Sequence, residues 1–154
     1  MQDCIFCKIA AKEIPARIVW EDKHYVAFLN MHPNTEGFTV VITKDHHESY
    51  AFDLADEILT GLVLAAKKVG KLLDYAFEDV GRTGMIFEGF GVNHIHAKLF
   101  PMHGTKAGDW QQRSSKINKY FDHYEGYISS HDADQANDAV LEATATKIRN
   151  ASHK

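Results

Sequence analysis

Residues 92–100 read Val92-Asn93-His94-Ile95-His96-Ala97-Lys98-Leu99-Phe100, and this stretch decides the fold expected for the whole chain. Ionisable side chains at positions 94, 96 and 98 alternate with apolar side chains at positions 95, 97 and 99. Because alternate side chains of a β-strand lie on the same face, the pattern predicts a half-buried strand from about Val92 to Phe100. His94, His96 and Lys98 would then share one face, where two imidazoles beside an ammonium group indicate a functional site.

The composition is typical of a single domain with a hydrophobic core. The chain has 154 residues, of which 45% are hydrophobic and 25% are charged. Its net charge of −4 argues against a large nucleic-acid-binding surface, because a phosphate backbone requires a basic face. The sequence has no apolar run long enough to span a membrane and no signal peptide in its N-terminal MQDCIFCK, so we expect a cytoplasmic protein.

The first part of the chain predicts a short helix and three strands. The helix covers residues 4–12 and ends before Pro15, because the residue preceding a proline is disfavoured in helical geometry. The strands are the β-branched and aromatic runs 18–20, 25–29 and 38–42.

A long amphipathic helix is predicted over about residues 54–73, with Asp53 as its N-cap. Its apolar side chains recur at spacings of three and four residues. They are Leu54, Ile58, Leu62, Ala65, Val69 and Leu72. The elements predicted after it are strands at 85–87, 92–100 and 127–130 and a helix at 134–150. This order predicts an α+β fold in which a mainly antiparallel sheet packs one face against the long helix.

The two cysteines form a Cys4-x-x-Cys7 pair in a chain without an export signal. Metal binding or redox chemistry is therefore expected more than a structural disulfide. Three interpretations remain open from the residues alone. The thiols could be buried as small apolar groups, act as a redox pair outside the usual βαβ setting, or bind zinc together with His46 and His94.

Two imidazoles placed two residues apart on a strand can bind a metal or present a nucleophile. A histidine nucleophile suits attack at phosphorus near neutral pH, because its neutral form is well populated and its covalent adduct is labile. A lone histidine is usually a surface or hydrogen-bonded core residue. His94 and His96, followed by the cation Lys98, favour a functional interpretation instead.

The same residues carry a family resemblance. The chain resembles the histidine triad (HIT) superfamily, whose motif His-φ-His-φ-His-φ-φ, with φ hydrophobic, is matched by residues 94–100. Residues 4–9 and 13–15 resemble the family's zinc-containing bacterial branch, residues 27–30 resemble its nucleoside pocket, and residues 40–46 resemble its segment Val-Ile-Pro-Lys-x-His. The resemblance implies an α+β HIT-like fold with a five-stranded antiparallel sheet, one long helix, a short N-terminal helix and a C-terminal helical extension.

The resemblance also implies a nucleotide hydrolase or nucleotidyl transferase. Such a protein acts at the α-phosphate of a purine nucleotide, either a dinucleoside polyphosphate or an AMP-linked adduct. His96 matches the nucleophile that forms a nucleotidyl-histidine, and Asn30 matches the residue that holds the ribose hydroxyls. The base-enclosing positions implied are Phe6, Ile9, Phe28, Leu29 and Met31. The structural zinc ligands implied are Cys4, Cys7, His46 and His94.

Two departures from the family pattern concern the phosphate. Lys98 stands where the motif has its third histidine, and it can stabilise phosphate oxygens but is a poor general acid at neutral pH. Another residue, such as His103, is therefore a candidate to protonate the leaving group. Gly89-Phe90-Gly91 stands in place of the family's Gly-Gln-Ser, so the backbone N–H groups near Gly89 and Gly91 are expected to hold the phosphate.

We expect residues 1–104 to form the HIT-like domain and residues 105–154 to form an extension packed on this domain or on a dimer partner. Family members are usually homodimers, and Trp110 and the helix at 134–150 are candidates to reach the partner's site. A second hypothesis is a nucleotide-binding or zinc-stabilised interaction protein with little or no catalytic activity. A third hypothesis makes the histidines a catalytic metal centre.

Overall fold

The computed structural model describes residues 3–106, 122–124 and 134–151, and it confirms the predicted α+β fold. Its strands are β1 (Ile18–Glu21), β2 (Tyr25–Leu29), β3 (Thr39–Thr43), β4 (Thr83–Ile86) and β5 (His96–Pro101). Its helices are α1 (Ile5–Ala10), α2 (Asp56–Ala76) and α3 (Asp138–Asn150), with a 3-10 turn at Ala51–Asp53. Across these described parts of the chain, no helix is both long and apolar enough to cross a membrane. Trp110 and the strand predicted at 127–130 lie outside the described residues.

The five strands form one antiparallel sheet in the order β1-β2-β3-β5-β4. Its first face packs against α2 and α3, and this side holds the larger hydrophobic cluster. The strand residues in that cluster alternate along the chain, as the predicted pattern requires. They are Val19, Ala27, Leu29, Val41, Ala97 and Leu99. Leu62, Val69 and Leu73 of α2 are fully buried against them.

The second face of the sheet packs against α1 and the chain that follows it. Its buried strand residues are Val26, Phe28, Val40 and Ile42. Ile9 of α1 joins this cluster, and Ile14 and Phe100 pack at its edge. Because His96 and Lys98 alternate with the inward-facing Ala97 and Leu99, their side chains lie on this second face, away from α2.

The N-cap prediction at Asp53 is wrong, because the chain is extended between that residue and α2. Asp53 closes the 3-10 turn, and Leu54 and Ala55 both have extended backbone angles, so Ala55 is the N-cap. The helix begins at Asp56 and places Asp56 and Glu57 in its first turn, where carboxylates interact favourably with the helix dipole.

Strand β5 begins at His96, four residues later than predicted, so His94 precedes the strand. The chain bends here: the His94 N–H donates to the carbonyl of Val92 over 2.8 Å, and the Ile95 N–H donates to the carbonyl of His47 over 2.9 Å. Residues 92–95 therefore bond to a loop rather than to a strand. The side chain of His94 is still completely buried, because the bend turns it inward.

The helix α3 packs on β1 and α2 of its own chain. Leu141, Ala145 and Ile148 are buried in the larger cluster. Arg149 Nη1 donates to the carbonyl of Ile18 over 2.7 Å. The division into a domain of residues 1–104 and an extension of residues 105–154 stays a prediction.

Shortening Ile148 tests this packing. Because its side chain is fully buried, Ile148→Ala should lower the free energy of unfolding by about 2–4 kcal/mol. Val140→Ala on the same helix should change it by less than about 0.5 kcal/mol, since Val140 is 59% exposed. Urea unfolding at two protein concentrations measures both. A loss that depended on protein concentration would contradict packing within one chain.

Candidate functional site

A cavity of about 230 Å³ opens on the second face of the sheet, between α1, β2 and the chain around His96. The structure brings together there nine of the residues predicted to act on a nucleotide. They are Phe6, Ile9, Phe28, Leu29, Asn30, Met31, Gly91, His96 and Lys98. Sequence reasoning missed other lining residues, among them Ile14, Ala16 and Phe90. For Ile14 and Ala16, the available sequence signal was their apolar character on either side of Pro15.

The apolar end of the cavity is built by α1 against β2. The ring of Phe6 meets the ring of Phe28 edge-on, with centroids 5.5 Å apart, and meets the imidazole of His96 in the same way at 5.3 Å. Asn30 follows β2 directly, and its Oδ1 accepts from the backbone N–H of His32 over 2.9 Å. A planar apolar group such as a nucleobase fits this end, with polar groups at its border.

His96 is held as a neutral imidazole with a defined tautomer. Its side chain is 2% exposed, and its Nδ1 lies 2.7 Å from the backbone oxygen of His94. Nδ1 therefore donates to that carbonyl, which leaves the lone pair on Nε2. Burial lowers the pKa of His96 and the Lys98 ammonium lowers it further, whereas the His94 carbonyl and the charge of Glu88 act in the opposite direction. At neutral pH, Nε2 is thus available as a nucleophile.

Lys98 forms an ion pair with Glu88, a residue that sequence reasoning missed. Both side chains are largely buried, with 15% of Lys98 and 12% of Glu88 exposed. Glu88 belongs to no motif, and the only available signal was the pairing of β4 with β5, which places Ile86 opposite Lys98. The charge of Lys98 beside the cavity is therefore balanced by a carboxylate.

Cys4, Cys7, His46 and His94 form a compact cluster suited to a metal ion. Their four candidate ligand atoms lie within 4.8 Å of one another, and both cysteines are free. His94 Nδ1 is 3.4 Å from Cys4 Sγ and 3.5 Å from Cys7 Sγ, and His46 Nδ1 is 3.4 Å from Cys7 Sγ. Tetrahedral zinc with ordinary bond lengths separates its sulfur and nitrogen ligands by about 3.5 Å, so the cluster fits this ion.

The hydrogen bond made by Nε2 of His94 determines that Nδ1 carries the lone pair facing the thiols. Nε2 donates to the carbonyl of Thr43 over 2.9 Å, which leaves the lone pair on Nδ1. Burial lowers the pKa of His94 to about 4, so the imidazole is neutral at neutral pH, as metal binding requires. Burial and the neighbouring Cys4 raise the pKa of the Cys7 thiol, and a bound cation would favour the thiolate.

Two predicted phosphate-side residues lie away from the cavity lining. Gly89 is packed against the backbone of Ser49, whose oxygen would be 3.0 Å from an added Cβ. His103 lies beyond the far end of β5, where Nδ1 is 3.0 Å from Asp79 and Nε2 is 3.0 Å from the carbonyl of Glu36. Although burial alone would lower it, the pKa of His103 is raised by these two partners. His103 therefore contacts Asp79 and Glu36 and does not line the cavity.

Comparisons with known proteins give a family match and a similar relative for this chain. A family model described as the HIT domain matches residues 11–105. The adenosine 5'-monophosphoramidase of Saccharomyces cerevisiae is 32% identical over 119 residues, which cover 75% of each chain.

Two solved structures share the fold over nearly the whole chain. A hypothetical histidine triad nucleotide-binding protein from Sulfolobus tokodaii superposes with a TM-score of 0.72 at 22% identity, covering 97% of this chain and 92% of the other. A zinc-bound histidine triad family protein from Mycobacterium smegmatis gives a TM-score of 0.71 at 20% identity, covering 97% and 93%. The family model over residues 11–105 and the 32% identical relative show that the chain belongs to the HIT family.

Proposed function

We propose that the protein is a nucleotide hydrolase or nucleotidyl transferase that acts at the α-phosphate of a purine nucleotide through a nucleotidyl-His96 intermediate. The observation that carries the proposal is the neutral His96 in the cavity wall, with Nδ1 bonded to the His94 carbonyl and the lone pair on Nε2. The relative in Saccharomyces cerevisiae, an adenosine 5'-monophosphoramidase, supports the choice of an adenylate substrate.

The substrate is oriented by the two ends of the cavity. Its base lies among Phe6, Ile9 and Phe28, and its ribose lies near Asn30, directly after β2. The α-phosphate then reaches His96, where the backbone around Gly91 and the ammonium of Lys98 are the available donors. Met31 completes the wall beside the nucleoside, whereas the side chain of Leu29, whose residue borders the cavity, packs in the larger cluster on the first face.

The chemistry proceeds in two displacements. The lone pair of His96 Nε2 forms a bond to the α-phosphorus, and the bond to the leaving group breaks with its electron pair, which takes up a proton from solvent water. The imidazole becomes cationic, and the hydrogen bond from Nδ1 to the His94 carbonyl stabilises this charge. Water then attacks phosphorus, the bond to Nε2 breaks, a proton passes to solvent, and the nucleoside monophosphate leaves. A transferase would use another acceptor in place of this water.

The cluster of Cys4, Cys7, His46 and His94 is proposed as a structural zinc site. When bound there, zinc would join α1 to the loop after β3 and to the bend before β5. His96 is not a member of the cluster, so the proposal assigns the metal to structure and the chemistry to His96. The proposal therefore differs from the third hypothesis, in which the histidines form a catalytic metal centre.

One observation favours the second candidate, a nucleotide-binding protein with little catalysis. The ammonium of Lys98 is already paired with Glu88, so less of its charge is available to a phosphate.

A homodimer is also proposed, as the family resemblance implies. The edge strand β4 and the exposed side chains of Leu64 and Met85, which are 53% and 43% exposed, are surfaces that such a dimer could use.

Removing the proposed nucleophile should abolish turnover. His96→Ala should lower kcat on a fluorogenic adenosine 5'-phosphoramidate by about 10³-fold or more, because no covalent intermediate can form. Wild-type protein quenched in base during turnover should carry a nucleotidyl group on His96, detected by peptide mass spectrometry. His24→Ala, an exposed histidine outside the cavity, is the matched control. Wild-type turnover by the His96 variant would refute the mechanism.

Removing one proposed zinc ligand should release the metal and loosen the fold. Cys4→Ser and His46→Ala should each reduce bound zinc well below one per chain and lower the free energy of unfolding by about 3 kcal/mol or more. His47→Ala is the matched control, because His47 adjoins His46 but lies outside the cluster. Elemental analysis and urea unfolding measure the two effects. Full zinc content in either ligand variant would refute the assignment.

A further inference from the structure

Glu88 follows the edge strand β4 and pairs with Lys98, so it lies on the β4 side of β5, whereas the apolar end of the cavity lies beside β2. The last register pair of β4 and β5 joins Ile86 to Lys98, and Glu88 follows two residues after β4 has ended. Phe87, the residue between Ile86 and Glu88, packs against the larger cluster on the first face, and Glu88 is directed to the second face. Its ion pair with Lys98 agrees with this position.

The sheet order gives the bound nucleotide a direction. Phe28 of β2 is paired with Val40 of β3, which is paired with Lys98 of β5, and β4 follows on the far side. A base over β2 and β3 with its α-phosphate at His96 has its remaining substituent on the β4 side. That substituent is the leaving group, and Glu88 is the charged residue described there.

The ion pair makes this side of the site neutral overall and still places a carboxylate beside the leaving group. A leaving group that is itself a phosphate brings further negative charge against Glu88 and competes with it for Lys98. An amine leaving group brings N–H donors that a carboxylate accepts. Because both side chains are largely buried, solvent screens these interactions only weakly.

We infer that Glu88 is a specificity-determining residue that favours adenylates with an amine leaving group over nucleotides whose α-phosphate carries a further phosphate. The inference rests on the proposed function and deepens it, since it chooses between the two substrate classes expected from the sequence. Discrimination arises from like-charge repulsion, which excludes the wrong substrate, as well as from attraction to the right one.

The test compares kcat/KM for two substrates, an adenosine 5'-phosphoramidate of a primary amine and diadenosine triphosphate. Wild-type protein should prefer the phosphoramidate. Glu88→Gln should shift the ratio of the two values toward diadenosine triphosphate by roughly tenfold or more. Glu88→Asp, which keeps the charge, should retain most of the wild-type preference. Glu57→Gln removes an equal charge from the exposed first turn of α2 and should leave the ratio unchanged.

The ratio of two substrates on one preparation does not depend on the fraction of protein that is folded, so partial destabilisation of a Glu88 variant leaves the test valid. If Glu88→Gln changes both substrates by the same factor, Glu88 only supports the structure and the inference fails. If wild-type protein turns over neither substrate, the proposed function fails and the inference fails with it. If turnover requires His96 but the ratio of kcat/KM values is the same in Glu88→Gln as in the wild type, this inference fails and the proposed function stands.

Discussion

The buried imidazole of His94 is the contact on which the rest of the site depends. Nε2 donates to the carbonyl of Thr43 at the end of β3, and Nδ1 faces the thiols of Cys4 and Cys7. The backbone oxygen of the same residue accepts from Nδ1 of His96. Since an unpaired polar group in the interior costs about 1–3 kcal/mol, each of these partners constrains the ring and the chain around it. One residue thereby orients both the cysteine pair and the proposed nucleophile.

The short helix α1 connects the cluster of Cys4, Cys7, His46 and His94 to the cavity beside His96. It has six residues, a length at which an isolated helix is not stable in water. Cys7 and Phe6 are neighbours on it, so the thiol turned toward His46 and the ring packed on His96 move together. The position of the apolar wall therefore depends on what holds the cysteine end of the helix. A metal bound by Cys4, Cys7, His46 and His94 would in this sense also influence ligand binding.

Elements whose burial repeats along the chain were predictable, and features decided by distant partners were not. The strand at 25–29 follows from its β-branched and aromatic residues, and the helix α2 follows from the spacing of its apolar residues. The late start of β5 depends on a bond to His47, which no local pattern contains. Glu88 was missed because its ion pair with Lys98 depends on the pairing of β4 with β5. His103 lies away from the cavity because Asp79, in the segment after α2, binds it.

The two faces of the sheet have separate duties, and this has an evolutionary consequence. The large apolar cluster lies between the sheet and its two long helices, whereas His96, Lys98 and Glu88 belong to the opposite side. Substitutions around the chemistry therefore leave most of the buried apolar area intact. A lineage with this architecture can therefore exchange residues on the second face of the sheet while the packing between the sheet and its helices persists.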